Sequence, residues 1–261
     1  MDMTSGKILY KHNHHAIRYP ASLTKVMTLY LTFDALQRKK INLNSKIKIS
    51  RAASIQPPSK TYLKAGATVT VKQAIEALIV KSANDIAYAL AEKIGGNIKN
   101  FTQMMNHKAK QLNMRNSHFC NPHGLFDKNQ VTTASDMLKL TLAIQQKHSR
   151  YFHFFSKKHF LLHNKKIIGH NHVLHQYNSA NGLKTGFIRQ SGYNLITTTS
   201  KKEGKLIAVV MGGQTSKIRD NHMISLLNFG YDKIRKLKRK EIKTNLIKDK
   251  NKPNQQQDVF A

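Results

Sequence analysis

Three short clusters hold residue types that could carry out acyl transfer. The first is Ser22-Leu23-Thr24-Lys25. A serine hydroxyl is a weak nucleophile near neutral pH and needs a base within reach. Residues three apart on a helix share a face, so Lys25 can take the Ser22 proton if burial lowers its amine toward neutrality. A helix that starts at Ser22 adds the positive end of its dipole, which favours an alkoxide. The second cluster is Ser82-Ala83-Asn84, between two helical stretches, where a loop can point a hydroxyl and an amide into a cleft. The third is Lys184-Thr185-Gly186, entering a strand. There lysine supplies charge, threonine a donor, and glycine room for a ligand to approach the backbone. Each cluster also has a plainer reading. S-x-x-K describes a helix cap followed by a surface lysine, Asn84 can cap a helix before Asp85, and K-T-G is a common tripeptide.

These residues need elements to hold them. Pro20 marks a boundary just before Ser22. From Ser22 to about Arg38, the residues Leu23, Val26, Met27, Tyr30, Leu31 and Leu36 supply an apolar face, which predicts a helix. Val71 to Val80 and Asp85 to Ile94 read as two more, the latter stopped by Gly95-Gly96. Asn97 can cap a helix running to about Leu112, and Thr133 one from Ala134 to about Gln146. The pattern then changes. Gly192 to Thr199 and Lys205 to Met211 read as strands around a turn at Lys201-Lys202-Glu203-Gly204. Ser5 to Tyr10 reads as a first strand and Ile218 to Leu237 as a last helix. A single sheet built from both ends of the chain, with a helical insertion, fits this order; alternating βαβ units do not.

Taken together, the clusters say more than they do singly. S-x-x-K, S-x-N and K-T-G in that order, with gaps of about 60 and about 100 residues, form the signature of penicillin-binding proteins and class A β-lactamases. Longer segments extend the likeness: Tyr19-Pro20-Ala21-Ser22-Leu23-Thr24-Lys25-Val26-Met27-Thr28, Gln56-Pro57-Pro58-Ser59, Lys81-Ser82-Ala83-Asn84-Asp85, Asn121-Pro122-His123-Gly124-Leu125 and Asn181-Gly182-Leu183-Lys184-Thr185-Gly186. Over roughly residues 1 to 231 the chain resembles the D-alanyl-D-alanine carboxypeptidases, low-molecular-weight penicillin-binding proteins of peptidase family S11.

The resemblance implies a β-lactamase/transpeptidase-like fold of α+β type, an antiparallel sheet flanked by helices with an all-helical subdomain inserted at about 50–150. It implies that Ser22 attacks the bond between two terminal D-alanines of a peptidoglycan stem peptide, with Lys25 as general base. Ser82, beside Lys184, would relay a proton to the leaving amine, and Asn84 would hold the substrate's amide backbone. The Ser22 and Phe187 N–H groups would form the oxyanion hole. Thr185 and Arg219 would bind the terminal carboxylate, with Arg189 close to them in sequence. Gly186 would lie beside the substrate, and β-lactams would stall the enzyme as acyl-enzymes. No metal or other cofactor is implied.

Two features depart from the family pattern. Family chains open on a signal peptide and a longer first strand, whereas Met1-Asp2-Met3-Thr4-Ser5 has neither a basic nor an apolar leader region. The reaction implies a periplasmic or other extracytoplasmic location, and the opening reads as a shortened start. Many members also carry a C-terminal β-rich domain and a membrane helix. Here residues 1–237 read as the catalytic domain and 238–261 as a basic, polar, disordered tail.

Composition bounds the alternatives. Lys and Arg number 44 against 13 Asp and Glu, a net charge of +31 that invites a nucleic-acid reading. The basic residues are spread along the chain and cluster only at Lys233–Lys240, without the interleaved aromatics of an RNA-binding platform. A solvated surface, or attraction to an anionic membrane or wall polymer, fits better. No run of 18 apolar residues suggests a membrane span. The single cysteine, Cys120, reads as a packed thiol. His12, His14, His15, His170 and His172 lack the carboxylate or cysteine partners of a metal site. A class A β-lactamase would need a glutamate after the S-x-N cluster, but none lies between Glu92 and Glu203. A D,D-endopeptidase would use the same residues, and a non-catalytic wall- or nucleic-acid-binding protein would rest on the charge alone.

Overall fold

In the computed structural model, which describes residues 1–250, the chain enters its first helix through a 3-10 turn at Ala21–Leu23. Helix α1 (Thr24–Gln37) follows, then strand β1 (Lys46–Lys48), α2 (Arg51–Ser54), β2 (Thr68–Thr70) and α3 (Val71–Glu76). The last helix widens into a π-helical turn at Ala77–Lys81. Helices α4 (Asn84–Gly95), α5 (Ile98–Gln111) and α6 (Ala134–Lys147) fill the middle. A 3-10 stretch at Ser149–Ser156, a hairpin of β3 (His159–Leu162) and β4 (Lys165–Ile168), and α7 (His172–Gln176) lead to the main sheet. Its strands β5 (Ala180–Ile188), β6 (Gly192–Lys201) and β7 (Gly204–Gly213) are antiparallel and neighbours in sequence order. Helix α8 (Ser216–Lys250) closes the described chain.

Period-2 alternation makes the sheet the middle layer of a sandwich. Ile196 and Ile207 face the helical body, packing in one core with Val26, Phe33 and Leu90. Their chain neighbours Leu195 and Leu206 face the other way, onto Met223, Leu227 and Tyr231 of α8. Helix α1 lies deep in the helical layer, with twelve of its fourteen residues buried. A helix enclosed on all sides is a rigid mount for whatever stands at its N-terminus. The caps expected at Asn97 and Thr133 are made: their side chains accept from the N–H groups of Asn100 and Asp136.

The structure corrects the expected element map in three places. Ser5 to Tyr10 form no strand. Instead the Asp2 carboxylate accepts from the N–H groups of Thr4 and Ser5, and Gly6 at φ +70° turns the chain away. Residues 1–3 pair with the edge of β7, through Met1 N to Ile207 O at 2.9 Å and Met3 N–H to Lys205 O at 2.8 Å. The insertion is not wholly helical, because β2 lies within it and pairs with β1. Each of these strands turns one apolar residue inward, Ile47 and Val69, to cap the helical core. Helix α8 runs on to Lys250, thirteen residues past the expected end at Leu237. Among the residues whose burial is described, Ile234 is its last buried apolar contact, and a Lys- and Arg-rich sequence of good helix propensity carries it further. The remainder of the expected tail, residues 251–261, lies outside the described residues.

Candidate active site

Ser22 sits half-buried in the 3-10 turn, and Lys25 lies fully buried in the first turn of α1. Several contacts fix this corner. Ala21 has a positive φ of 49°, and Gly124, at φ +90°, packs directly on the Ala21 carbonyl. Thr28 Oγ1 donates to Pro122 O at 2.6 Å, tying the loop that carries Gly124 to α1. From the sheet, Asn194 Nδ2 reaches the carbonyls of Tyr19 and Pro20, at 3.3 and 3.4 Å.

Lys25 Nζ is 2.9 Å from Ser22 Oγ, 2.7 Å from Asn84 Oδ1 and 2.6 Å from His123 O. A neutral amine has two hydrogens and one lone pair. In the neutral form the two carbonyl oxygens would take the hydrogens and the lone pair would face the Ser22 hydroxyl. Burial, and then the charge of Lys184, push the Lys25 pKa well below 10.5, against an opposing pull from Asp85. Burial shifts Lys25 toward the neutral amine, and the three contacts accommodate an amine that accepts the serine proton.

The second cluster arrives through the π-helical turn. Ser82 follows it in the left-handed conformation, at φ 61° and ψ 38°. Ser59 clamps both sides of the turn: its Oγ donates to Lys81 O at 2.8 Å, and its carbonyl accepts from Asn84 N–H at 2.7 Å. Asn84 opens α4, and its Nδ2 donates to Pro57 O at 2.8 Å, so its oxygen must face Lys25. Across the cleft, β5 brings Lys184 Nζ to 3.0 Å from Ser82 Oγ and 2.8 Å from its neighbour's carbonyl, Thr185 O. Burial, then Arg219, lower the Lys184 pKa to about 7.

The remaining expected residues fall unevenly around this centre. Gly186 lies against the serine turn, where an added Cβ would stand 3.2 Å from the backbone nitrogens of Ser22 and Leu23. Phe187 is next along β5, its exposed ring stacked on Tyr193 at 4.3 Å. Arg219 is buried but engaged with Asp220, with Nη2 2.7 Å and Nε 2.9 Å from Oδ1. Thr185 Oγ1 lies 3.0 Å from His170 Nε2. Desolvation of the inner edge of that ring, then Lys184, Arg219, Lys81 and His172, lower the His170 pKa to about 4. Cys120 is partly buried, and burial followed by Asp127 raises its pKa to about 11. Among the described residues, no group of three His, Cys, Asp or Glu side chains could hold a metal ion, and no helix is long and apolar enough to cross a membrane.

Sequence reasoning missed Pro57 and His123 as partners, because each acts through a backbone carbonyl that leaves no mark on residue type. Asp220 and His170 were also missed. The signal for Asp220 was present, as a carboxylate directly beside the expected Arg219.

Comparison with known proteins points the same way as the geometry. Residues 1–215 match the family model of peptidase S11, described as D-alanyl-D-alanine carboxypeptidase. The chain is 36% identical over 236 residues to D-alanyl-D-alanine carboxypeptidase DacA of Haemophilus influenzae, covering 88% of this chain and 60% of that protein. It thus spans about 60% of the length of the curated relatives it matches. Penicillin-binding protein 5 of the same organism superposes with a TM-score of 0.85 at 36% identity, covering 89% of this chain and 69% of that one. Penicillin-binding protein D2 of Listeria monocytogenes, in its cefotaxime-bound form, superposes with a TM-score of 0.80 at 27% identity, covering 88% and 94%.

Proposed function

From its membership of the D-alanyl-D-alanine carboxypeptidase family, peptidase S11, we propose that the chain removes the terminal D-alanine from peptidoglycan stem peptides through an acyl-enzyme. The observation that carries this reading is the buried Lys25 amine, its pKa lowered, 2.9 Å from Ser22 Oγ. Ser22 attacks the scissile carbonyl while Lys25 takes its proton. The oxyanion collects the N–H groups of Ser22 and Phe187, each worth about 3–4 kcal/mol in such sites. The closeness of Gly186 to the Ser22 backbone supports that pairing.

The leaving D-alanine amine needs a proton, which Ser82 relays under the influence of Lys184, 3.0 Å away. Asn84 orients Lys25 and the substrate's backbone amide. The cations Lys184 and Arg219, with the Thr185 hydroxyl, suit a terminal carboxylate. Asp220 sets the guanidinium of Arg219, so the arginine contributes mainly as a fixed charge. Water then releases the shortened peptide. β-Lactams acylate the same serine, a reading supported by the cefotaxime-bound relative.

Residues 1–237 form the catalytic domain in this reading, and the substrate requires a location on the outer side of the cytoplasmic membrane. The exposed Lys236, Lys238 and Arg239 on α8 suit an anionic membrane or wall surface, and salt-sensitive cosedimentation with anionic vesicles or isolated walls tests that. The reaction itself is tested by incubating the chain with a D-Ala-D-Ala pentapeptide and, separately, a cross-linked muropeptide dimer. Release of D-alanine from the pentapeptide is expected. Cleavage of the dimer alone would make the chain an endopeptidase instead.

A further inference from the structure

The hydroxyl of Thr185 carries a single hydrogen, and His170 Nε2 stands 3.0 Å from its oxygen. If Nε2 presents a lone pair, Thr185 spends its hydrogen on the imidazole and has none for a substrate. If Nε2 carries a hydrogen, the imidazole donates and the Thr185 hydrogen is free to point into the cleft. The tautomer and protonation of His170 therefore decide what Thr185 can offer, and only the imidazolium fixes Nε2 as a donor.

The surroundings of His170 are of one sign. Lys184 faces it from β5, Arg219 from α8 and Lys81 from the π-helical turn, with His172 on α7. Asp220, next to Arg219 in the chain, is engaged by that guanidinium. Desolvation, and then these charges, disfavour the imidazolium. His170 itself is solvent-exposed at the rim, so both a proton and a ligand can reach it. A substrate carboxylate at Thr185 would bring an anion to the ring, and an adjacent anion favours the imidazolium.

Resting on the carboxypeptidase reading above, we propose that His170 is a proton-linked positioning residue for the carboxylate pocket. Arrival of the substrate carboxylate draws one proton from solvent onto His170, and the imidazolium then turns the Thr185 hydroxyl toward that carboxylate. No bond other than N–H forms, and the proton returns to solvent when the product leaves. Desolvation and the neighbouring cations disfavour the charged ring until an anion offsets them.

The test uses the full chain with Ser22→Ala, which binds peptide without acylation. Calorimetry with a diacetyl-Lys-D-Ala-D-Ala peptide is run at pH 5.5 in buffers of different ionisation enthalpy, with and without His170→Gln. At that pH Lys184 is already charged, and the glutamine comparison removes any other source of proton uptake. Several tenths of a proton should be taken up by the His170 form and almost none by the glutamine form. From pH 7.5 to 5.5 the affinity of the His170 form should tighten roughly three- to ten-fold more than that of the variant, which keeps only the change due to Lys184. A purely structural histidine would weaken binding equally at both pH values and leave proton uptake unchanged, which overturns the proposal. Penicillin acylation of the chain with Ser22 intact separates the two levels: acylation without His170-dependent uptake sinks this inference alone, and absence of both acylation and peptide binding sinks the carboxypeptidase reading with it.

Discussion

Lys25 Nζ and Asn84 Oδ1 are 2.7 Å apart, joining the first turns of two helices separated by 59 residues of sequence. The contact is with a neutral amide, and that neutrality matters. The Asn84 oxygen occupies one amine hydrogen without stabilising the ammonium as a carboxylate would. Its Nδ2, bonded to Pro57 O, fixes which end of the amide faces Lys25.

Asn84→Asp should therefore cripple acylation while preserving shape. A carboxylate at this distance favours the charged lysine and raises its pKa by about 1–3 units. Penicillin acylation at pH 7 should fall by about ten-fold or more, and the acid limb of the pH profile should move upward. An unchanged limb would mean that Lys25 is not the base.

The native profile of kcat/KM should be bell-shaped. Below its lowered pKa, Lys25 gains a proton and loses the lone pair that activates Ser22, so the rate falls toward acid. Above about pH 7, Lys184 loses the charge that receives a terminal carboxylate, so the rate falls again. A carboxamide-terminated peptide should lack the second fall. The comparison is a pH series of D-alanine or D-alaninamide release from matched peptides.

Lys184→Met should trade activity for stability. The folded pKa of Lys184 lies below that of the unfolded chain, so burying the ammonium costs stability at pH 6. That cost is fully present below about pH 7 and disappears as pH rises toward the unfolded value. Methionine leaves Ser82 Oγ and Thr185 O without their partner, which offsets part of the gain. A net stabilisation of about 1–3 kcal/mol at pH 6, shrinking toward pH 10, is expected in urea titrations, with activity lost.

Gly124→Ala should damage the site from outside it. Its φ of +90° disfavours any side chain, and the new methyl would collide with the Ala21 carbonyl next to Ser22. A loss of about 2–4 kcal/mol is expected, with slower acylation in the protein that remains folded. Thermal melts and penicillin labelling on the same sample would measure both effects.

The candidate site was legible where it is built from side-chain types. Ser22, Lys25, Ser82, Asn84 and Lys184 were found from spacing and order, and the structure brings them into two hydrogen-bonded clusters. Where the working atom belongs to the backbone, as with His123 O and Pro57 O, residue type gave no sign. The left-handed Ser82 after a π-helical turn was invisible too, because Val71 to Val80 reads as one ordinary helix. Ser5 to Tyr10 has strand composition, yet pairing depends on where the edge of β7 lies, which local pattern does not encode. His170 was weighed only as a metal ligand, and its tie to Thr185 depends on a fold that brings residues 170 and 185 face to face.

The most direct measurement is the intact mass of the chain after incubation with benzylpenicillin, for the native sequence and for Ser22→Ala. The native chain should gain the mass of one penicilloyl group, located on the peptide containing Ser22, and the variant should gain nothing while its thermal melt stays unchanged. A native chain that folds but gains no mass, or an adduct that survives in Ser22→Ala, would contradict the assignment of Ser22 as nucleophile.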